Sequence, residues 1–547
     1  MCGIIGCFPR SRIRVDFIRH RGPDGEGVLE VGELAFGHTR LAILDLEPRA
    51  DQPQWSSDGS VLLNYNGEIY NFRRLGVGEE ASDTVALAQW LAREGSDFDP
   101  SALDGMYAFA AWFPAGRKLV LARDPVGIKP LYIALSEDGA HLAFCSEIKG
   151  FFGVEWFTAR PNRDAVVQRE FLQYGRAFPR PVELCFRGMP AALPLVPTLL
   201  AGVWQVSPGQ CLTFSLEAPP SARAVRLLAR GADDVAEALA DSVADQSVAD
   251  VEVGVQLSGG IDSSLTAHEF ARTHSRVHGF HLSVDFKKHN EEKWARQAAD
   301  VIAKRCDFQF HVIPLTPEEV RRVLPAVIWH SDEPPMRHRN IVGPYLLAEH
   351  ARCTGVKVLL AGEGADEVFA GYDWHDGRTV EGFDRTRRLF DLGGSDRVAR
   401  FFPASAGRGD ILRCQLAYDR AIYLPMLLAH QDRMSMAHSI ETRVPFLSNR
   451  FLTMPTPARP GKVALKELAA GLFGRKFARR PKYGSPMPRR WFAWLPVQRE
   501  HLDWLVEPWE PQTKNESWAL ACLSAWSAMY LHGGWKNQPA LGPPRRP

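Results

Sequence analysis

Cys2 stands one residue from the start of the chain, and its type and place suggest nucleophilic chemistry. Removal of Met1 would leave Cys2 with a free α-amine, whose ordinary pKa is about 7.7–8.0. That amine can take the thiol proton, directly or through water, so a terminal cysteine needs no separate histidine base. Polar groups follow at intervals: His20-Arg21-Gly22-Pro23-Asp24, then Arg40 after an apolar run, then Asn66-Gly67-Glu68, then Ser82-Asp83. A second place for chemistry is Leu257-Ser258-Gly259-Gly260-Ile261-Asp262-Ser263-Ser264, between an apolar run and a helical pattern. Two glycines let the backbone approach an anion, and amides at a helix N-terminus point towards it. Ser258, Ser263 and Ser264 add hydroxyl donors. Asp262 would repel phosphate unless a cation lay between them, which implies Mg2+. No GxxxxGK[ST] string occurs, so this is not a P-loop NTPase.

The first set of groups continues through ALDGMYAFAAW (102–112), ARDPVGIKPLY (122–132) and AFCSEIKG (143–150). In that order they resemble the glutaminase domain of class II, N-terminal-nucleophile glutamine amidotransferases. The resemblance gives the oxyanion of the tetrahedral intermediate to the Asn66 side chain and the Gly67 N–H. Arg40 suits the carboxylate of glutamine, Asp83 its ammonium, and Glu68 assists.

The SGGIDSS loop resembles that of ATP pyrophosphatases, which cleave ATP to AMP and pyrophosphate. Ala361-Gly362-Glu363-Gly364-Ala365-Asp366 also follows an apolar strand, and in an open α/β sheet both loops face one crevice. Asp262 and Asp366 then become the metal carboxylates. With DRMSMAHSIETRVPFL (432–447), GKVALKELA (461–469) and RRPKYGSPMP (479–488), the resemblance runs nearly end to end and is to glutamine-hydrolysing asparagine synthetase. It implies adenine against the backbone near Leu257, Leu282 and Gly362, phosphate on Arg443, charge stabilisation by Lys462, and Glu363 as proton acceptor when ammonia attacks. It also implies an apolar passage for ammonia, with the MYAFAAW strand a candidate wall.

The acceptor acid is left open. Aspartate leads on the resemblance. Arg337-His338-Arg339 departs from the aspartate pattern and reads either as a site for a bulkier anion or as a solvated loop. Alternatives are amidation of another acid, such as a natural product, peptide or polysaccharide uronate, or a cyclising ligase relative. Such relatives typically lose the nucleophile, which this chain keeps.

The elements that must position these groups come in two rhythms. Up to about residue 200, short apolar runs bounded by Gly, Pro, Asp and Asn predict strands at 34–46, 61–71, 106–113, 118–124 and 131–135, with a helix over 83–95. After about residue 230, strands at 251–257, 279–286, 307–313 and 356–362 alternate with helices, which predicts a parallel sheet. The fold class expected is an α+β N-terminal-nucleophile glutaminase domain, antiparallel sheets between helical layers, over 1–215. An α/β ATP-pyrophosphatase domain with a parallel sheet follows over 232–547. The segment 215–231 reads as linker and the final GPPRRP as a disordered tail.

Composition sets the outer bounds. The 547 residues are 45% hydrophobic and 24% charged, a globular balance. A net charge of +1 gives no basic signal for nucleic acid. Nine scattered cysteines without a CxxC pair suit reduced thiols in a cytoplasmic protein. Gly188 to Leu216 carries no charge, but Pro190, Pro194, Pro197 and Pro208 interrupt it, so it reads as a covered apolar loop between domains. No membrane partner is expected. The expected partners are glutamine and a carboxylic acid, with a homodimer left open.

Overall fold

The computed structural model describes residues 2–77, 82–227, 234–284, 291–375, 380–390, 396–402, 408–481 and 487–534. The expected tail at 542–547, the 228–233 part of the linker and the 482–486 part of RRPKYGSPMP lie outside these.

The first half folds as two antiparallel sheets face to face. One has eight strands in the order Arg180–Phe186, Met189–Pro197, Val203–Val206, Tyr132–Leu135, Leu142–Cys145, Gly3–Phe8, Leu34–Arg40 and Gly25–Val31. The other has six: Ser221–Ala224, Gln210–Ser215, Lys118–Arg123, Gly105–Phe113, Leu62–Ile69 and Gln54–Trp55. Side chains alternate across a strand, so the first strand serves two cores. Ile4 and Phe8 meet Leu62, Ala108 and Leu121 between the sheets. Ile5 and Cys7 face outwards, where helices Ala165–Tyr174, Pro317–His330 and Lys514–Tyr530 cover them with Phe171, Leu324 and Trp526. The six-stranded sheet buries its outer face under helix Asp83–Glu94, through Leu87, Trp90 and Leu91.

The uncharged 188–216 segment is not a loop. It supplies the strands Met189–Pro197, Val203–Val206 and Gln210–Ser215, with Leu193, Leu195, Val206, Leu212 and Phe214 in the core between the sheets. Core burial explains its lack of charge. Ser221–Ala224 pairs with Gln210–Thr213, so this sheet continues past residue 215, the boundary drawn from sequence. No helix among the described residues is long and apolar enough to cross a membrane.

The second half is built on a five-stranded parallel sheet in the order Asp307–Leu315, Arg276–Val284, Val253–Gln256, Val358–Leu360 and Glu441–Arg443. Chain order reverses between Val253–Gln256 and Val358–Leu360. Doubly wound sheets bind ligands at such a switch point, beyond the carboxyl ends of the strands.

Buried charge joins the halves. The Arg21 guanidinium, wholly buried, donates to Glu147 at 2.6 Å, to Asp432 at 2.9 Å and to the Cys2 carbonyl at 3.0 Å. Lys149 pairs with Glu147 and, at 2.8 Å, with Asp332, which also accepts from Tyr530 at 3.0 Å. Removing one partner of a buried pair leaves an uncompensated charge. Arg21→Met is therefore expected to lower stability by about 3–5 kcal/mol, measured by denaturant unfolding of the full chain.

Candidate functional site

Cys2 is placed by its strand. Gly3 pairs with Thr39, so Cys2 lies beside Arg40 at the end of the adjoining strand. Its N–H donates to Asn66 Oδ1 at 3.0 Å. The Asn66 side-chain N–H group is buried with no acceptor in the structure. Gly67 follows on the same strand, where a Cβ would stand 2.1 Å from the Met106 carbonyl oxygen, so only glycine fits. Burial raises the Cys2 thiol pKa, while the Leu41 N–H and the Arg40 charge act in the opposite direction.

Cys2, Arg40, Tyr65, Gly67, Glu68 and Asp83 line one small cavity with Leu41 and Ile43. Arg40 already meets a carboxylate, donating to Asp51 at 2.6 Å. Asp83 opens the helix Asp83–Glu94 and accepts from the Tyr65 hydroxyl at 2.8 Å and the Ile69 N–H at 3.0 Å. Burial raises its pKa against those two donors. Glu68 is also pushed well up by burial, with the Arg443 charge opposing. The structure thus brings together every residue expected around the cysteine.

The second site is a cleft of about 580 Å3 at the switch point. Its walls include Ser258, Gly260, Asp262 and Ser263 from one loop, Gly362, Glu363 and Asp366 from another, and Lys462. The first loop folds back on itself, with Ser258 Oγ 2.8 Å from Ser263 Oγ and accepting from the Gly260 N–H at 3.0 Å. Gly259 has φ +83°, and a Cβ there would lie 2.7 Å from the Ala295 nitrogen. The helix Ile261–Phe270 then points its N-terminus at the cleft.

Lys462 lies just outside a helix. It caps the helix Val463–Phe473 in a left-handed conformation, φ +57°. Its ammonium is held between Asp262 and Asp366, 2.9 Å from the latter. Glu363 is raised to about 7 by burial, with the Asp262 and Asp366 charges adding to the effect.

Not every expected residue is in the cleft walls. Leu257 is fully buried in the core and Leu282 packs at the edge of two cores, so their side chains are not in the cleft walls and only their backbone is left for adenine. Gly259 backs onto the helix Glu292–Ile302, and Ser264 is buried with its hydroxyl unpartnered. Arg443 is the clear correction. It lies on the far side of its strand, wholly buried, and contacts Glu441, Glu68 and two backbone carbonyls instead of the cleft. The run at 337–339 is half-buried and is not part of the cleft walls. Arg337 donates to the Arg387 carbonyl, and Arg339 donates to Asn515 at 2.9 Å. The His338 ring lies 5.6 Å from that of Tyr423.

The cleft also holds groups not singled out from sequence: Lys466, Arg480, Tyr372 and Gln256. Lys466 could have been found, since it follows Lys462 by one helical turn. Arg480 stood in a quoted string without an assigned role.

Comparison with known proteins agrees with this two-site layout. The family described as Asparagine synthase matches residues 234–526, and the Glutamine amidotransferase domain matches residues 1–194. The chain belongs to the asparagine synthase family. It is 27% identical to Asparagine synthetase [glutamine-hydrolyzing] 1 of Bacillus subtilis, over 92% of this chain and 89% of that protein. It is 28% identical to the Probable asparagine synthetase [glutamine-hydrolyzing] of Dictyostelium discoideum, over 83% and 75%. It is 31% identical to Amidase chyE of Penicillium rubens, over 66% of this chain and 54% of that protein. The protein is an ATP-dependent amide ligase that takes its nitrogen from glutamine and gives it to a carboxylate.

The unpartnered Asn66 side-chain N–H makes a direct prediction. Asn66→Ala should lower glutaminase kcat by about 10²–10³-fold, the usual cost of one oxyanion donor, and lose about 1–3 kcal/mol of stability with the bond from the Cys2 N–H to Oδ1. Glutamate release and thermal unfolding of the same preparation check it.

Proposed function

We propose that the chain converts aspartate to asparagine through an acyl-adenylate, using ammonia released from glutamine at Cys2. The observation that carries the reading is the pairing of a cysteine pocket furnished for an amino acid with a phosphate-type cleft at the switch point of the parallel sheet.

At the first site the Cys2 thiolate attacks the side-chain carbonyl of glutamine, and the amine freed by loss of Met1 takes the thiol proton. Asn66 and the Gly67 N–H hold the oxyanion, Arg40 the carboxylate, and Asp83 with Glu68 the ammonium. The C–N bond breaks, ammonia leaves with that proton, and water hydrolyses the thioester to glutamate. At the second site a substrate carboxylate attacks the α-phosphorus of ATP and expels pyrophosphate. Ammonia attacks the adenylate carbonyl, Glu363 accepts a proton, and AMP leaves.

The residues present suit Mg2+. Asp262 Oδ1 is buried without a hydrogen-bond partner, and Asp366 offers a second carboxylate in the same cleft. These hard oxygen donors would hold the ion, which when bound supplies positive charge against the phosphates. Lys462, between the same carboxylates, supplies a further cation.

The proposed ammonia passage would follow apolar packing that joins the two halves. One core cluster runs from Leu41, Ile43, Met106 and Ile128 of the first half to Val255, Leu257 and Ala361 of the second. Met106 is the member of the 106–112 strand in this cluster, whereas Ala108 and Ala110 turn into the core between the sheets.

A second reading, amidation of another acid, draws on the cleft wall of Tyr372, Asp373 and His375 and on the 31% identity to a protein named an amidase. Pyrophosphate release with ATP, Mg2+ and glutamine, scanned across aspartate and a panel of carboxylic acids, separates the two. Aspartate-dependent release with matching asparagine is the expected result, and release only with another acid selects the second reading.

Glu363 should shape the pH response. Burial raises its pKa to about 7, with the Asp262 and Asp366 charges adding to the effect. With free ammonia held constant across buffers, the ammonia-dependent rate should climb as pH rises through 7. Glu363→Gln should flatten that limb and lower the rate by about 10²–10⁴-fold.

A further inference from the structure

The displacement of Arg443 from the nucleotide cleft leaves its position to be explained. Four groups surround its guanidinium. Nε donates to Glu441 at 2.5 Å, Nη1 donates to the carbonyls of Gln246 at 2.8 Å and Val248 at 2.7 Å, and Nη2 lies 3.2 Å from Glu68 Oε1. The first three belong to the second half of the chain. The fourth is a wall of the Cys2 pocket.

From this point both loops of the nucleotide cleft set out. The Arg443 carbonyl accepts from the Ala361 N–H at 2.9 Å, and Gly362 and Glu363 come next. Gln246 and Val248 lead into Val253–Gln256, which delivers Ser258. The same connection grips the Cys2 pocket again. The Asp250 N–H donates to the Ile43 carbonyl at 2.8 Å, and the Asp45 N–H donates to Asp250 Oδ2 at 2.7 Å. Ile43 lines that pocket.

Charge gives this contact a dependence on ligand. Glu68, Asp83 and Glu441 are buried carboxyl groups, and Arg443 faces two of them. An amino-acid ammonium arriving beside Glu68 and Asp83 shares Glu68 with the guanidinium and weakens their mutual hold. Arg443 therefore interacts differently with a filled and an empty pocket, which is what any linkage between sites requires.

We propose that Arg443 is a positioning residue that couples occupancy of the glutamine pocket to the nucleotide cleft, through Glu68 on one side and the Ala361 amide and Val248 carbonyl on the other. The inference rests on glutamine being the ligand of the Cys2 pocket. Linkage is reciprocal: whatever glutamine does to ATP affinity, ATP does to glutamine affinity by the same factor.

The test uses the full-length enzyme and ammonia as nitrogen source. Cys2 is alkylated by a δ-diazoketone analogue of glutamine, which fills the pocket and keeps the α-ammonium. The KM for ATP in pyrophosphate release is then compared with that of the unlabelled enzyme. Alkylation is expected to shift this KM by about fivefold or more, the lower end of ordinary couplings. In Arg443→Lys a single ammonium cannot hold two carboxylates and two carbonyls together, and the shift should shrink below about twofold. Glu68→Asp, which draws the carboxyl group back from Arg443 but keeps one in the pocket, should shrink it likewise and serves if Arg443→Lys does not fold. No shift in the wild type, or a full shift in either folded variant, overturns the inference. If alkylation leaves glutamate formation from glutamine intact, the glutamine reading of the pocket has failed instead.

Discussion

A guanidinium without access to water organises this molecule. Arg21 holds the Cys2 carbonyl, a carboxylate from the first half and a carboxylate from the second. Such a charge is tolerated only when every partner is in place, because the desolvation cost exceeds what one contact returns. The strand that carries Cys2, the turn that carries Glu147 and the helix Leu424–Met436 that carries Asp432 are therefore fixed relative to one another by one side chain. The distance between the two sites follows from this geometry, and so does the continuity of the apolar cluster that lies between them.

Much of both sites could be read from sequence because the chemistry sits in short strings. Asn66-Gly67-Glu68 lies on a single strand, and Ser258 to Ser264 spans one turn and the start of one helix. Local order then carries function directly. What could not be read was orientation across long range. Glu441-Thr442-Arg443 is a three-residue strand, and nothing in its neighbours says that Arg443 turns away from phosphate towards Glu68, far back in the chain. The left-handed backbone of Lys462, preceded by Gly461 at φ +98°, is a cap conformation that helical periodicity does not register.

The fold was legible by the same logic. Helix–strand alternation gave four of the five strands of the parallel sheet, whereas apolar runs gave only five of the fourteen in the sandwich. The 188–216 segment was misread because prolines outweighed alternation. Pro190 and Pro194 pair opposite Cys185 and Pro181 in a strand near the sheet's end, while Leu193 and Leu195 point into the core. Proline is tolerated where few ladder bonds depend on its missing N–H.

The eight-stranded sheet does not own its outer cover. Part of the face that carries Ile5 and Cys7 is closed by the helix Pro317–His330, and part by Lys514–Tyr530, close to the end of the described chain. During synthesis that last helix emerges about 330 residues after the strand Met189–Pro197, an interval of roughly 15–65 s at ordinary elongation rates. Through that interval the nascent sandwich presents a greasy flank to the ribosome's surroundings. The first half of this chain is thus a translational dependant of the second, and a ribosome stalled midway would release an adhesive fragment.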